Sequence, residues 1–228
     1  MRVQFLWHSF FKISFHGLNI LLDPFMDMPK GETTYNLAMK CPVNLGKIKS
    51  IDAIFVSNEH FDHCDKKVIE MIANRDNSVV VAHESVLNDL NIAANLKHNV
   101  KVGDRFNLRG MDVTVRGAHY PNSFYPMSFH LAKDGEAIFF AGNSALMDSF
   151  SEINCDVALL PIGGASTMDV VDAVRATKTM KPKFVVPMHY NSFDNIPADP
   201  QEFKMRIDKS ILKTQPVILK PGQSFKTK

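Results

Sequence analysis

An α/β fold, two sheets packed on each other with helices outside, is predicted by three observations. Short runs rich in Phe, Ile, Leu and Val open the chain, buried-strand runs then alternate with helix-spaced apolar residues, and the second half repeats that order. The 228 residues suffice for one large domain or two small ones. No Pro/Gly/Ser linker or charge block separates the halves, which favours a single domain over residues 1–228.

The elements follow in order. Residues 3–8, 11–15 and 18–23 read as strands, the last two joined by a tight turn at His16-Gly17. Residues 51–57 form a buried-strand run that delivers the polar cluster 58–65 at its carboxyl end. After it, Val68, Ile69 and Ile72 stand at helical spacing within 66–74, followed by a strand at 79–81 and a helix over 84–94. Strands return at 113–115, 127–131 and 137–140, with a hairpin turn at 133–136. The last third reads as a strand at 157–160, a glycine-bearing loop at 162–165, a helix over 168–180 and a strand at 184–186. A helix over 200–209 and a strand at 217–219 close the chain.

Composition narrows the function classes. Hydrophobic residues make up 45% and charged residues 22%, values that argue against disorder, a fibrous repeat or a disulfide scaffold. Lys and Arg number 26 against 24 Asp and Glu, and the resulting charge of +2 gives no field that implies nucleic acid or an anionic membrane as main partner. Three widely spaced cysteines, without a Cys-x-x-Cys pair, fit a reducing compartment. Gln4 and His8 break the apolar start of the chain, and no apolar run approaches the ~18 residues of a membrane span. A soluble cytoplasmic protein with a small-molecule substrate is the expectation.

The segment Asn58-Glu59-His60-Phe61-Asp62-His63 concentrates two imidazoles and a carboxylate directly after a predicted strand. These are metal-ligand types, and an apolar core has little use for them because each buried polar group needs its own partner. The plainer alternative is a solvated turn, with Asp62 capping the helix that follows. His119 and His189 also stand where strands end, and sites in α/β folds form beyond the carboxyl ends of strands. Three strand ends supplying imidazole point to one convergent metal site.

With these residues in view, the chain closely resembles the metallo-β-lactamase-fold hydrolases, and within them the uncharacterised metal-dependent hydrolases related to ascorbate-6-phosphate lactonases. The resemblance covers essentially the whole chain. Its pieces are Trp7-His8-Ser9, residues 21–25, the cluster 58–63, His119, and Ala141-Gly142-Asn143-Ser144. Residues 156–164, Thr167-Met168 and residues 187–191 carry it further and are the most specific to the subfamily. It implies a four-layer αββα sandwich with a metal site along one edge, and hydrolysis of a small ester, lactone or phosphoester by a metal-activated water. It also implies a homo-oligomer.

Carried over residue by residue, the resemblance exposes two departures. The family's His-x-His-x-Asp-His is here Asn58-x-His60-x-Asp62-His63, and its bridging aspartate is Asn143. One implied metal position retains His60 and His119 but lacks its first histidine, whereas the other, Asp62, His63 and His189, is complete. Two dications roughly 3.5–4 Å apart repel fourfold more than unit charges, and Asn143 supplies no anion to offset this. One divalent ion is therefore favoured over two, zinc first, with Mn, Fe or Ni as alternatives.

The resemblance further implies Asp62 as the residue orienting the water, with His60 and His119 as acid/base or substrate-binding groups. Asp23 supports the metal loop through hydrogen bonds. His8 lies near the site or, equally, bonds a backbone carbonyl. Gly163 and Gly164 cradle a phosphate or simply make a tight turn. Thr167, Met168, Tyr190 and Asn191 line the pocket or serve helix start and loop packing, and Cys64 is an adventitious ligand or merely buried. A degenerate member that binds a ligand without turnover is the alternative function, kept open by Asn58 and Asn143. A nuclease comes third, because no basic, aromatic-interleaved stretch is present.

Overall fold

The computed structural model describes residues 1–32 and 34–227. The chain divides into two compact units. The first comprises Met1–Lys101, Ser123–Tyr125 and Leu219–Lys228. It holds β1 (Arg2–Trp7), β2 (Phe10–Phe15), β3 (Leu18–Leu22), β4 (Ala53–Phe55), α1 (Lys66–Asp76), β5 (Val79–Ala82), α2 (Glu84–Asn88), β6 (Lys97–Asn99) and β14 (Ser224–Lys226). These strands form one seven-stranded sheet in the order β14-β1-β2-β3-β4-β5-β6. Pairing is antiparallel from β14 to β3 and parallel from β3 to β6.

The second unit, Val102–Asn122 with Pro126–Ile218, repeats that plan. It contains β7 (Arg105–Leu108), β8 (Met111–Gly117), β9 (Met127–Lys133), β10 (Glu136–Phe140), β11 (Val157–Pro161), α3 (Val170–Met180), β12 (Phe184–Met188), α4 (Pro200–Asp208) and β13 (Gln215–Pro216). Its sheet runs β13-β12-β11-β10-β9-β8-β7, antiparallel from β7 to β10 and parallel from β10 to β13. The echo between halves read from the sequence is a repeated pairing pattern, antiparallel and then parallel, with the edge strand β14 supplied in the first unit by the end of the chain.

Local chemistry explains the boundaries. The Asp134-Gly135 turn between β9 and β10 has positive φ at both residues, 49° and 79°, the pair that a tight two-residue hairpin turn requires. Asp65 caps α1 by accepting from Val68 N–H, and Asn77 closes the helix at φ 54°. Val68, Ile69, Ile72 and Ala73 form its buried stripe, joining Leu6, Phe10, Leu21, Ile54 and Val80 in the core of the first unit. Each fully buried Ile or Leu contributes about 1.5–3 kcal/mol. In the second unit Asp169 accepts from Asp172 N–H, so α3 begins at Val170 rather than at residue 168.

Three further expectations are corrected. The first strand stops at Trp7, because His8 turns the chain at φ 55°. The helix expected over 84–94 is α2 alone, ending at Asn88 with Asp89 as its cap. The closing strand of the second unit is β13, Gln215–Pro216, and not residues 217–219.

Candidate metal centre

In the first unit, β3 and β4 are parallel neighbours whose carboxyl ends deliver Asp23 and Ser57 side by side. Asp23 is completely buried and accepts from Ser57 N–H at 2.7 Å and from Ser57 Oγ at 2.5 Å. His63 Nδ1 lies 2.5 Å from the same carboxylate. Asn58 Nδ2 donates to Ser57 Oγ at 3.1 Å, which directs the hydroxyl proton towards Asp23. The carboxylate accepts throughout, so His63 carries its proton on Nδ1 and presents Nε2 as the free-electron-pair nitrogen. This is the carboxylate–histidine arrangement that orients metal-binding imidazoles.

Asp62 and His8 stand on the Nε2 side. Asp62 Oδ2 is 3.7 Å from His63 Nε2 and 3.2 Å from His8 Nε2. The potential ligand atoms of His8, Asp62 and His63 all lie within 4.8 Å of one another. His8 and Asp23 both adopt left-handed backbone conformations, φ 55° and 43°. Non-glycine residues hold such conformations at a cost of order 1–3 kcal/mol, and they gather at functional sites. Trp7 stacks on Phe25 with centroids 4.9 Å apart, and Phe25 meets the His8 ring edge-on at 5.8 Å, fixing the apolar side of the cluster. Two imidazole nitrogens and a carboxylate oxygen are a donor set suited to a divalent transition metal.

Glu59 ties the same loop to residues 123–125. Its carboxylate accepts from Ser123 Oγ at 2.7 Å and from Phe124 N–H at 3.0 Å. Burial works against the charge, yet these two hydrogen bonds, with one from its own backbone and the nearby His60, hold the carboxyl below the usual glutamate range.

In the second unit the parallel strands β10, β11 and β12 end together, in a register that pairs Phe140 with Leu159 and Pro161 with Met188. Beyond those ends come Asn143, Gly163 and His189. His189 is 5% exposed with φ 55°. A Cβ on Gly163 would strike the His189 carbonyl oxygen, so glycine there is required by close approach of two backbones. His119 is exposed, but its main chain is fixed: its N–H donates to Ser144 Oγ at 3.1 Å and its carbonyl accepts from Ala145 N–H at 2.9 Å. Asn143 is 1% exposed, and neither atom of its amide has a hydrogen-bond partner among the described residues.

The comparisons with known proteins add to this geometry. Residues 2–189 match the family model described as "Beta-lactamase superfamily domain". A "UPF0173 metal-dependent hydrolase" from Staphylothermus marinus is 34% identical over 98% of this chain and 97% of its own length. The chain belongs to the UPF0173 metal-dependent hydrolase family. A second member, from Pyrobaculum neutrophilum, is 29% identical over 99% of this chain and all of its own. The solved structure of Igni18, described as a novel metallo hydrolase from Ignicoccus hospitalis, superposes with a TM-score of 0.82 at 26% identity, covering 100% of this chain and 99% of that one. The fold is accordingly the metallo-β-lactamase fold, with two mixed sheets and flanking helices.

Asp65, not Asp62, caps α1, which leaves the Asp62 carboxylate to His8 and His63. Asn58 Oδ1 accepts from His60 N–H at 3.0 Å, so both ends of this amide serve the loop. His60 is half-buried and stands outside the group formed by His8, Asp62 and His63. Gly164 N–H donates to the Met168 carbonyl and Thr167 Oγ1 to the Gly164 carbonyl, bonds of a closed turn rather than of a phosphate cradle. Asn191 pins its loop by two bonds to Ala198, and burial pushes the Tyr190 phenol up to about 12. Cys64 is buried, which pushes its thiol up to about 12, and it stands outside the group formed by His8, Asp62 and His63. Sequence reasoning missed Ser57 and Glu59, whose partners lie 34 and 64 or more residues away along the chain.

Proposed function

We propose that the protein is a metal-dependent hydrolase of a small ester, lactone or phosphoester, with one divalent ion, zinc first, held by Asp62, His63 and His189. The observation that carries this reading is the buried Asp23–His63 pair, which aims His63 Nε2 at the side of the loop where Asp62 and His8 stand. His8 adds an imidazole to the same group, as ligand or as hydrogen-bond donor to Asp62. His60 and His119 remain acid/base or substrate-binding groups. The lactone part of the reading rests on the resemblance of residues 156–164, 167–168 and 187–191 to the lactonases.

What a divalent ion supplies when bound there is Lewis-acid polarisation of the scissile bond and acidification of water. The chain's own residues do the rest. Asp23 keeps His63 in one tautomer and orientation. Asp62 accepts a hydrogen bond from the attacking water and orients it. A single ion is supported by Asn58, whose amide is spent on the loop, and by Asn143, which brings no negative charge. No helix among the described residues is long and apolar enough to cross a membrane, in keeping with a small-molecule substrate met in solution. The three free cysteines accord with a reducing cytoplasm.

The experiment is a screen of lactones, p-nitrophenyl esters and phosphodiesters with metal-loaded and chelator-treated protein, alongside Asp62→Ala, His63→Ala and His60→Ala. Hydrolysis that needs metal and disappears with Asp62 and His63 supports the proposal. Unchanged turnover in His60→Ala removes that residue from the mechanism. Full metal occupancy without turnover on any compound favours the second reading, a ligand-binding member without catalysis, for which Asn58 and Asn143 are the specific observations.

A further inference from the structure

A cavity in the first unit involves none of His8, Asp62 and His63. It is built on β2, an interior strand whose Lys12 pairs with Gln4 of β1 on one side and Leu21 of β3 on the other. Residues paired across strands share a face, and this face is the apolar one, since Leu6, Leu21 and Ile48 belong to the core of the unit. Gln4, Leu6 and Lys12 line the cavity together with residues of the segment 42–48 and the Pro221-Gly222 turn. Its volume of about 310 Å³ is at the lower end of the range for small-ligand pockets.

The charged groups of this lining carry one sign. Lys12 and Lys47 bring two ammonium groups, and no carboxylate lines the cavity. Its amide side chains are engaged within the chain: Gln4 Nε2 donates to the Gly222 carbonyl at 3.0 Å, and Asn44 Oδ1 accepts from Gly46 N–H at 2.8 Å. Lys12 is half-buried, and that burial, with the like charge of Arg2, lowers its ammonium below the ordinary lysine range, although Asp76 pulls the other way. An anion here would meet two cations, with Leu6, Val43 and Ile48 offering contact to a hydrocarbon body. We propose that the cavity is a binding site for a small organic anion, a carboxylate or phosphate monoester on a short apolar body, with Lys12 as its principal charged contact. A neutral apolar compound makes no use of the lysines, and inorganic phosphate makes none of the apolar lining.

Titrations followed by NMR at the backbone amides of Lys12, Val43 and Lys47 test it, because these three residues line this cavity and report on it even where an anion also binds elsewhere. The probes are hexanoate and hexylphosphonate, the latter a stand-in for a phosphate monoester that resists hydrolysis, against hexanol and inorganic phosphate. The expected result is a saturable shift with at least one of the two six-carbon anions, the tighter of them naming the head group. That anion should bind at least about tenfold more tightly than inorganic phosphate, the worth of two buried methylenes. It should exceed hexanol by a similar factor. Lys12→Met keeps the stem and loses the charge, and should weaken binding at least about tenfold, the loss expected for one hydrogen bond to a charged group. Lys12→Gln is the second variant, used if methionine lowers the melting temperature. No shift at these amides with either anion overturns the proposal, as does equal binding of hexanol or inorganic phosphate. Undiminished affinity in a Lys12 variant that keeps the parent's melting temperature overturns it too.

Discussion

Replacing Asp23 by alanine removes a buried carboxylate that orients His63. The carboxylate is fully buried and receives three hydrogen bonds, at 2.7, 2.5 and 2.5 Å, two from Ser57 and one from His63. Its removal leaves Ser57 N–H, Ser57 Oγ and His63 Nδ1 buried without an acceptor. Leaving a buried donor without its acceptor costs about 1–3 kcal/mol, so the three together correspond to a fall of at least roughly 6 °C in melting temperature at this chain length. Asp23→Asn is gentler. It preserves volume and one acceptor oxygen but removes the charge that makes His63 a strong ligand, and losses of this kind lower metal affinity about 10–100-fold. The assay is calorimetric unfolding of chelator-treated protein together with zinc competition against a chromogenic chelator. A melting temperature within 2 °C of the parent's for Asp23→Ala, roughly the shift of a single kcal/mol, refutes the stability argument. Unaltered zinc affinity in Asp23→Asn refutes the claim that this carboxylate sets up His63.

Three other outcomes are expected. Gly163→Ala places a Cβ against the His189 carbonyl and the Ile196 side chain and should destabilise the fold by roughly 1–3 kcal/mol, read by thermal unfolding; a neutral substitution would show that the two backbones separate freely. Burial, reinforced by the neighbouring Asp156 charge, pushes the Cys155 thiol up to about 12, so almost none is thiolate at pH 8. Iodoacetamide should therefore leave this residue unlabelled in the native protein and modify it in guanidinium, and rapid native labelling at pH 8 would contradict the burial. Glu59→Ala removes the acceptor for Ser123 Oγ and Phe124 N–H, and hydrogen exchange of the Phe124 amide should accelerate while α1 amides keep their protection. Equal exchange in parent and variant would mean that the loop holds without Glu59.

The parts of this fold that announce themselves in sequence are those whose burial is local and periodic. Val68, Ile69 and Ile72 mark α1, and the all-buried runs of β4 and β11 mark central parallel strands. The strands that escaped, β6, β7 and β14, lie at or next to sheet edges and show largely half-buried or exposed residues, such as Lys97-His98-Asn99. Their pairing is decided by a partner distant in sequence, which no local pattern encodes. Asp62, His63 and His189 stand out in the sequence because imidazoles and carboxylates at strand ends have few structural uses, and their joint role as ligands is the proposal above. The roles of Asn58, Ser57 and Asp65 were not legible, since each depends on which way one side chain turns within a short loop. His8 illustrates both limits: the family resemblance suggested a place near the site, while its approach to Asp62 depends on the left-handed turn after β1.

The account stands most directly on metal content. Elemental analysis of the protein and of its Asp62→Ala, His63→Ala and His189→Ala variants, each purified without added metal, should find about one equivalent of a divalent transition metal in the parent. Each variant should retain far less. A parent without stoichiometric metal, or variants that keep all of it, would contradict the proposed site.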